Sequence, residues 1–192
     1  MNINQMSLSY VIEQDRMLLR INTKANEEMR MWFTRRLAMK LFPAISNLAS
    51  EQTVQLAMAN SPIASTDAHS KKMLADFKKE ETLQKANFST PFQEKANSFP
   101  FGEKPLLVTD VRIVPMPNGS LEISVQGINE ADNIGQGIKM VLDISLLHAL
   151  MHLMEKALAK SEWAALPGVA AAPALEGPDA SALPGDKPKY LN

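Results

Sequence analysis

The chain has 192 residues, 45% of them hydrophobic and 21% charged, with a formal net charge of −1 at pH 7 and a pI near 6.3. That composition suits one globular core and excludes a globally cationic surface, so any attraction to nucleic acid or an anionic membrane has to come from a local patch. The absence of cysteine removes disulfides, thiolate metal ligands and cysteine nucleophiles together.

The start, Met1-Asn2-Ile3-Asn4-Gln5, has neither a basic n-region nor an apolar h-region, and no apolar run approaches a membrane span. A cytoplasmic protein without membrane contact is therefore expected. Three short strands are read between Ser7 and Phe33: Leu8 to Ile12, Met17 to Asn22 and Glu28 to Phe33. Alternation assigns Leu19, Ile21, Met29, Met31 and Phe33 to the core face, and Arg20, Asn22, Arg30 and Trp32 to the opposite one.

At Thr34 the hydrophobic period changes from two to about 3.6, so the third strand runs directly into a helix capped by the Thr34 hydroxyl. Leu37, Leu41, Ala44, Ile45 and Leu48 fall on one arc of that helix, and Arg36, Lys40, Pro43 and Asn47 on the other. Pro43 sits on the polar side, where water can satisfy the freed carbonyl, so one bent helix is expected. Residues 50–104 form a linker with a largely exposed helix from Asp67 to Asn87, then irregular chain pinned by Phe88, Phe92, Phe99 and Phe101.

From Pro105 the first pattern returns. A strand from Leu107 to Val114 leads into an Asn118-Gly119 hairpin turn, a partner strand from Ser120 to Gln126, and a third from Ile138 to Leu142. Asp143 or Ser145 can cap a final helix that ends near Lys160. The expected fold is α+β: one domain over residues 7–163, in which two strand-strand-strand-helix units, 7–49 and 105–160, build an antiparallel sheet with both helices on one face. The Ala/Pro/Gly-rich residues 164–192 read as a disordered tail, whose end, Lys187 to Asn192, is either a short linear motif or a solvated terminus.

Three constellations could carry function. His148 and His152 stand four apart on the last helix with Glu155 beyond them, a spacing that suits a divalent metal. Residue 149 is Ala, so the metalloprotease glutamate is missing, and helical phase puts both histidines on a solvated polar face. Arg35 and Arg36 open a helix against its macrodipole, at a cost of about 0.3–1 kcal/mol, which an anion bound by Thr34, both arginines and Lys40 would offset. The alternative is that both arginines pair with linker acids or lie in solvent.

Arg20, Arg30 and Trp32 form the third constellation, the basic-plus-aromatic surface on which a sheet binds single strands. Trp32 may be covered instead by the linker helix or by Phe99 and Phe101. Only eight glycines occur and no Gly-rich turn joins a strand to a helix, so neither a phosphate loop nor any cofactor is expected.

Trp32-Phe33-Thr34-Arg35-Arg36-Leu37, following Leu18-Leu19-Arg20 and leading into Leu41-Phe42-Pro43, resembles a group of uncharacterised small proteobacterial proteins with a Trp-Leu-Thr-Arg-Arg-like strand end. That resemblance covers Met17 to Ile45 and implies no activity. The order of elements is also similar to the Whirly type of single-stranded nucleic-acid-binding domain, although the Lys-Gly-Lys-Ala-Ala-Leu motif is missing and each unit is one strand short. The leading expectation is a non-enzymatic binding or adaptor protein with a protein partner, and homo-oligomerisation is compatible with it. Single-stranded DNA or RNA binding is the second reading, and a metal-dependent enzyme using His148 and His152 the third. Charge on the outer face discriminates the first two: a nucleic-acid face gathers Arg20, Arg30 and Lys139 into one positive field, whereas a protein-binding face stays mixed and apolar at its centre.

Overall fold

The computed structural model describes residues 1–60, 68–85, 90–93, 96–130 and 133–163. The expected tail, 164–192, lies outside them. The elements are β1 (Ile3–Val11), β2 (Arg16–Thr23), β3 (Glu28–Thr34), α1 (Arg35–Asn60), α2 (Ala68–Lys85), β4 (Leu106–Pro115), β5 (Leu121–Asn129), β6 (Gly135–Leu142) and α3 (Ile144–Ser161). Strands follow one another in a single six-stranded sheet, β1 to β6 in chain order. The fold is α+β, as expected.

One pairing departs from expectation. β3 and β4 run parallel, through Met31↔Leu106 and Trp32↔Leu107, while every other neighbour is antiparallel. Parallel neighbours need a long crossover, and α1 with α2 supplies it between β3 and β4. The central seam of the sheet is thus made where the two halves of the chain meet.

Alternation buries Met17, Leu19, Ile21, Met29, Met31 and Phe33 from the first half, and Leu106, Val108, Leu121, Ile123, Val125, Met140 and Leu142 from the second. Against them pack Ala38, Leu41, Phe42, Ile45 and Ala49 of α1, and Leu147, Leu150, Met151, Met154 and Leu158 of α3. Both helices therefore cover one face, α1 over β2 to β4 and α3 over β1 and the end of β6. A register shift between Val108 and Asp110 changes the parity of β4, so that Val111 and Ile113 turn to the core. Opposite that bulge stands Gly127, where a Cβ would lie 2.6 Å from the Leu107 carbonyl oxygen; only glycine fits.

Local signals act where expected. Thr34 Oγ1 accepts from Leu37 N at 3.3 Å, and Asp143 Oδ1 from Leu146 N at 2.8 Å, capping α1 and α3. Gly119 takes φ +81° in the Asn-Gly turn. Pro43 is exposed within α1, which runs on to Asn60, well past the expected end of the first unit at residue 49. β1 likewise starts at Ile3 and not at Leu8: its Gln5 and Ser7 are held by the backbone ladder to β2, which a hydrophobic pattern cannot register.

On the helix-bearing face Met1 and Thr23 share a hollow with Gly137 and Ile138 of β6. On the opposite face Arg16 of β2 reaches Glu130, just beyond β5, at 3.1 Å. No helix among the described residues is long and apolar enough to cross a membrane.

Candidate interaction surface on the outer sheet face

The register places side chains from four strands in one transverse line on the face away from the helices. Leu18 of β2 pairs with Trp32 of β3, Trp32 with Leu107 of β4, and Leu107 with Ile128 of β5. All four are half-buried. The line ends at Ser9 on β1 and Gly135 on β6, so its apolar part occupies the middle of the sheet.

Beside that line the register sets Arg20 directly opposite Arg30, an unfavourable like-charge pair. Glu28 resolves it. Its Oε1 accepts from Arg20 Nε at 2.8 Å and from Arg30 Nε at 2.7 Å, and its side chain is fully buried. Burial works against the carboxylate, but the two guanidiniums outweigh it and hold its pKa below the ordinary value. Glu28 Oε2 and, on the residue opposite it, Asn22 Oδ1 are buried without a hydrogen-bond partner.

Residues after α2 cross this part of the face as a strap. Phe92 lies over the Arg20 guanidinium at 4.5 Å and Phe99 over that of Arg30 at 4.7 Å. Gln5 Oε1 accepts from Gln93 N at 3.0 Å, Asn22 Nδ2 donates to the Gln93 carbonyl at 2.5 Å, and Glu28 N donates to the Ser98 carbonyl at 3.0 Å. Arg30 Nη1 reaches the Glu103 carbonyl at 3.2 Å. Of the two aromatics named as an alternative cover for Trp32, Phe99 lies over the neighbouring Arg30 and Phe101 is buried in the core. Trp32 is flanked by Leu18 and Leu107 instead.

The remaining cations of the face are mostly paired as well. Arg16 binds Glu130 at 3.1 Å, and Lys139 stands 3.7 Å from Glu122. Arg112 is exposed opposite Ser124. The structure therefore brings Arg20, Arg30 and Trp32 onto one face, as the alternation predicts, but carboxylates are interleaved with the cations there, Glu28 offsetting one of the two arginine charges.

The other sequence candidates lie elsewhere. Arg35, Arg36 and Lys40 are exposed on the first turns of α1, while the Thr34 hydroxyl is engaged by Leu37. Arg35 faces Asp15, whose carboxyl is held low by hydrogen bonds from Trp163 and Tyr10 and by that arginine. His148 and His152 do not form a solvated face, because α2 packs across α3 there. His148 is 2% exposed with Nδ1 unpartnered, and burial, aided by the charge of Lys79, depresses its pKa. His152 is half-buried, 3.9 Å from Glu155, and its pKa is lowered chiefly by burial. Lys79 of α2 occupies Glu155 at 2.7 Å. Among the described residues no group of three histidines or carboxylates is placed to hold a metal.

Sequence reasoning missed Glu28, the strap and the transverse line. The signal for Glu28 was available in part: two arginines opposite one another need an anion, and Glu28 shares their parity on β3. The line needed the β3–β4 register, which no local pattern carries. No protein-family model matches this chain, no curated protein matches its sequence, and no solved structure matches its fold.

Proposed function

We propose that this protein is a non-enzymatic binding or adaptor protein that docks a protein partner on its outer sheet face, centred on Leu18, Trp32, Leu107 and Ile128. The observation that carries the reading is the charge pattern around that line. Arg20 and Arg30 share Glu28, Arg16 holds Glu130, and Lys139 faces Glu122. A surface for nucleic-acid backbones gathers its cations into one uninterrupted positive field, whereas a protein interface has an apolar, aromatic centre inside a polar rim of mixed sign, the pattern that Glu28, Glu130 and Glu122 make among these cations. We also read the recurring order of three strands and a helix as an internal repeat, which supports the topological likeness to the Whirly arrangement without its binding chemistry.

The test sets the two partner classes against each other on the full chain. Labelled single-stranded oligonucleotides titrated at low salt should give no saturable binding. A photo-crosslinking residue at position 128, expressed in the source cell, should trap a defined protein, and Trp32→Glu should abolish that product. Saturable oligonucleotide binding that weakens steeply with salt and is lost in Trp32→Ala would replace this reading with the single-strand one.

A further inference from the structure

We propose that the open edge of β1 is the contact strand of a two-fold homodimer, pairing antiparallel with β1 of a second copy. β1 pairs with β2 on one side, and among the described residues no strand pairs with the other. From Gln5 to Val11, beyond the register shift at Asn4, alternate N–H and C=O groups therefore face outward, a chemistry that only another extended backbone matches in register.

Edge strands are normally protected from such pairing by charges, prolines or poor strand formers. The opposite edge, β6, has that protection in Lys139, Gly135 and Gly137. β1 lacks these from Gln5 onward: from Asn2 to Ile12 no residue is charged and none is proline, and its one register irregularity lies between Ile3 and Gln5. Two such strands can therefore meet without a like-charge clash in any register.

The surroundings of the edge suit a strand of the same composition. A hollow of about 460 Å³ opens along Asn4 to Leu8, with Pro91 and Phe92 of the strap on the outer side and Leu146, Ala149 and Leu153 of α3 on the inner side. A strand entering it needs apolar side chains toward the helix and small polar ones toward the strap. β1 itself has that alternation, with Met6, Leu8 and Tyr10 toward the core and Gln5, Ser7 and Ser9 away from it. A two-fold axis normal to the sheet keeps the helix side of one copy beside the helix side of the other, so both alternations are satisfied at once. The contact is isologous and the β6 edges are guarded, so assembly stops at two.

This inference uses the edge of β1 and α3, not the transverse apolar line, and either can fail without the other. Sedimentation velocity of the full chain over a range of concentrations should show a dimer. Ser7 lies at the middle of β1, so Ser7→Lys and Ser7→Glu should each weaken dimerisation by about tenfold or more at low salt, and an equimolar mixture of the two should restore it. Alternate amides of β1 should become protected from hydrogen exchange as concentration rises, while those of β6 do not. Far-UV circular dichroism of each variant separates loss of pairing from loss of fold, and the mixture supplies the rescue. A chain that stays monomeric at every concentration, a dimer indifferent to both substitutions, or protection that grows at β6 would each overturn the proposal.

Discussion

Trp163 Nε1 donates to Asp15 Oδ1 at 2.7 Å, joining the end of α3 to the β1–β2 turn across 148 residues of sequence. Tyr10 Oη donates to the same oxygen at 2.8 Å, and its ring meets Trp163 edge-on with centroids 5.5 Å apart. Asp15 is in the left-handed region, φ 46°, so the turn presents its carboxylate to both donors. The end of α3 is thereby fastened to the first hairpin.

Trp163→Ala removes a nearly buried ring and should destabilise the fold by about 3 kcal/mol, read as a shift of the denaturant midpoint at unchanged slope. Trp163→Phe keeps most of the packing and loses only the donor. Asp15→Asn in that background should then cost less than it does in the wild type, because the two changes remove one shared interaction. Equal costs in both backgrounds would show that the hydrogen bond carries no coupling.

Glu28→Ala should destabilise by about 2–3 kcal/mol, because it leaves Arg20 and Arg30 facing one another with no anion between them. Since both guanidiniums also support Phe92 and Phe99, amide exchange of residues 96–103 should accelerate. The pH dependence has a definite sign. A carboxyl held below its ordinary value contributes stability that is complete above about pH 4.5 and is lost as pH falls toward the lower folded value. Wild type should therefore lose stability in acid more steeply than Glu28→Gln.

His148 should make the fold sensitive to a milder acidity. Its folded pKa is depressed, so the neutral ring is the folded form, and its contribution is complete above about pH 6.5 and declines below it. Thermal or denaturant midpoints should fall between pH 6.5 and 5, with a slope of at most about 1.4 kcal/mol per pH unit from this group. His148→Leu should flatten that slope and cost little at pH 7, since the replaced ring has an unpartnered buried nitrogen. An unchanged profile would exclude His148 as the titrating group.

The Arg16–Glu130 pair spans the two strands that carry Trp32 and Leu107 on the same face. An ion pair with sides 26% and 48% exposed stabilises by only about 0–1 kcal/mol, so it can open at small cost. Glu130→Gln should leave the unfolding midpoint nearly unchanged while raising the accessibility of Trp32 to a neutral quencher, measured in a Trp163→Phe background. No change in quenching would show that the pair does not shield the apolar line.

Much of the fold was legible because its causes are local. Alternation in Met17 to Phe33 reported one buried face, Thr34 and Asp143 announced helix starts, and Asn118-Gly119 announced a hairpin. The first residues of β1 were not legible, since Gln5 and Ser7 are strand only by pairing with β2. The histidines were misplaced for a related reason: helical phase locates a polar face but not the α2 helix that covers it.

The sequence by itself determined most of the elements, the buried side of β2 and β3 and the order of three strands and a helix, because each depends on residues a few positions apart. Tertiary structure alone decided that β3 and β4 join in parallel, that Leu18, Trp32, Leu107 and Ile128 form one line, and that Glu28 bridges two arginines beneath a strap. Those relationships depend on register between strands distant in the chain, and register is set by the packing of the whole sheet against its helices.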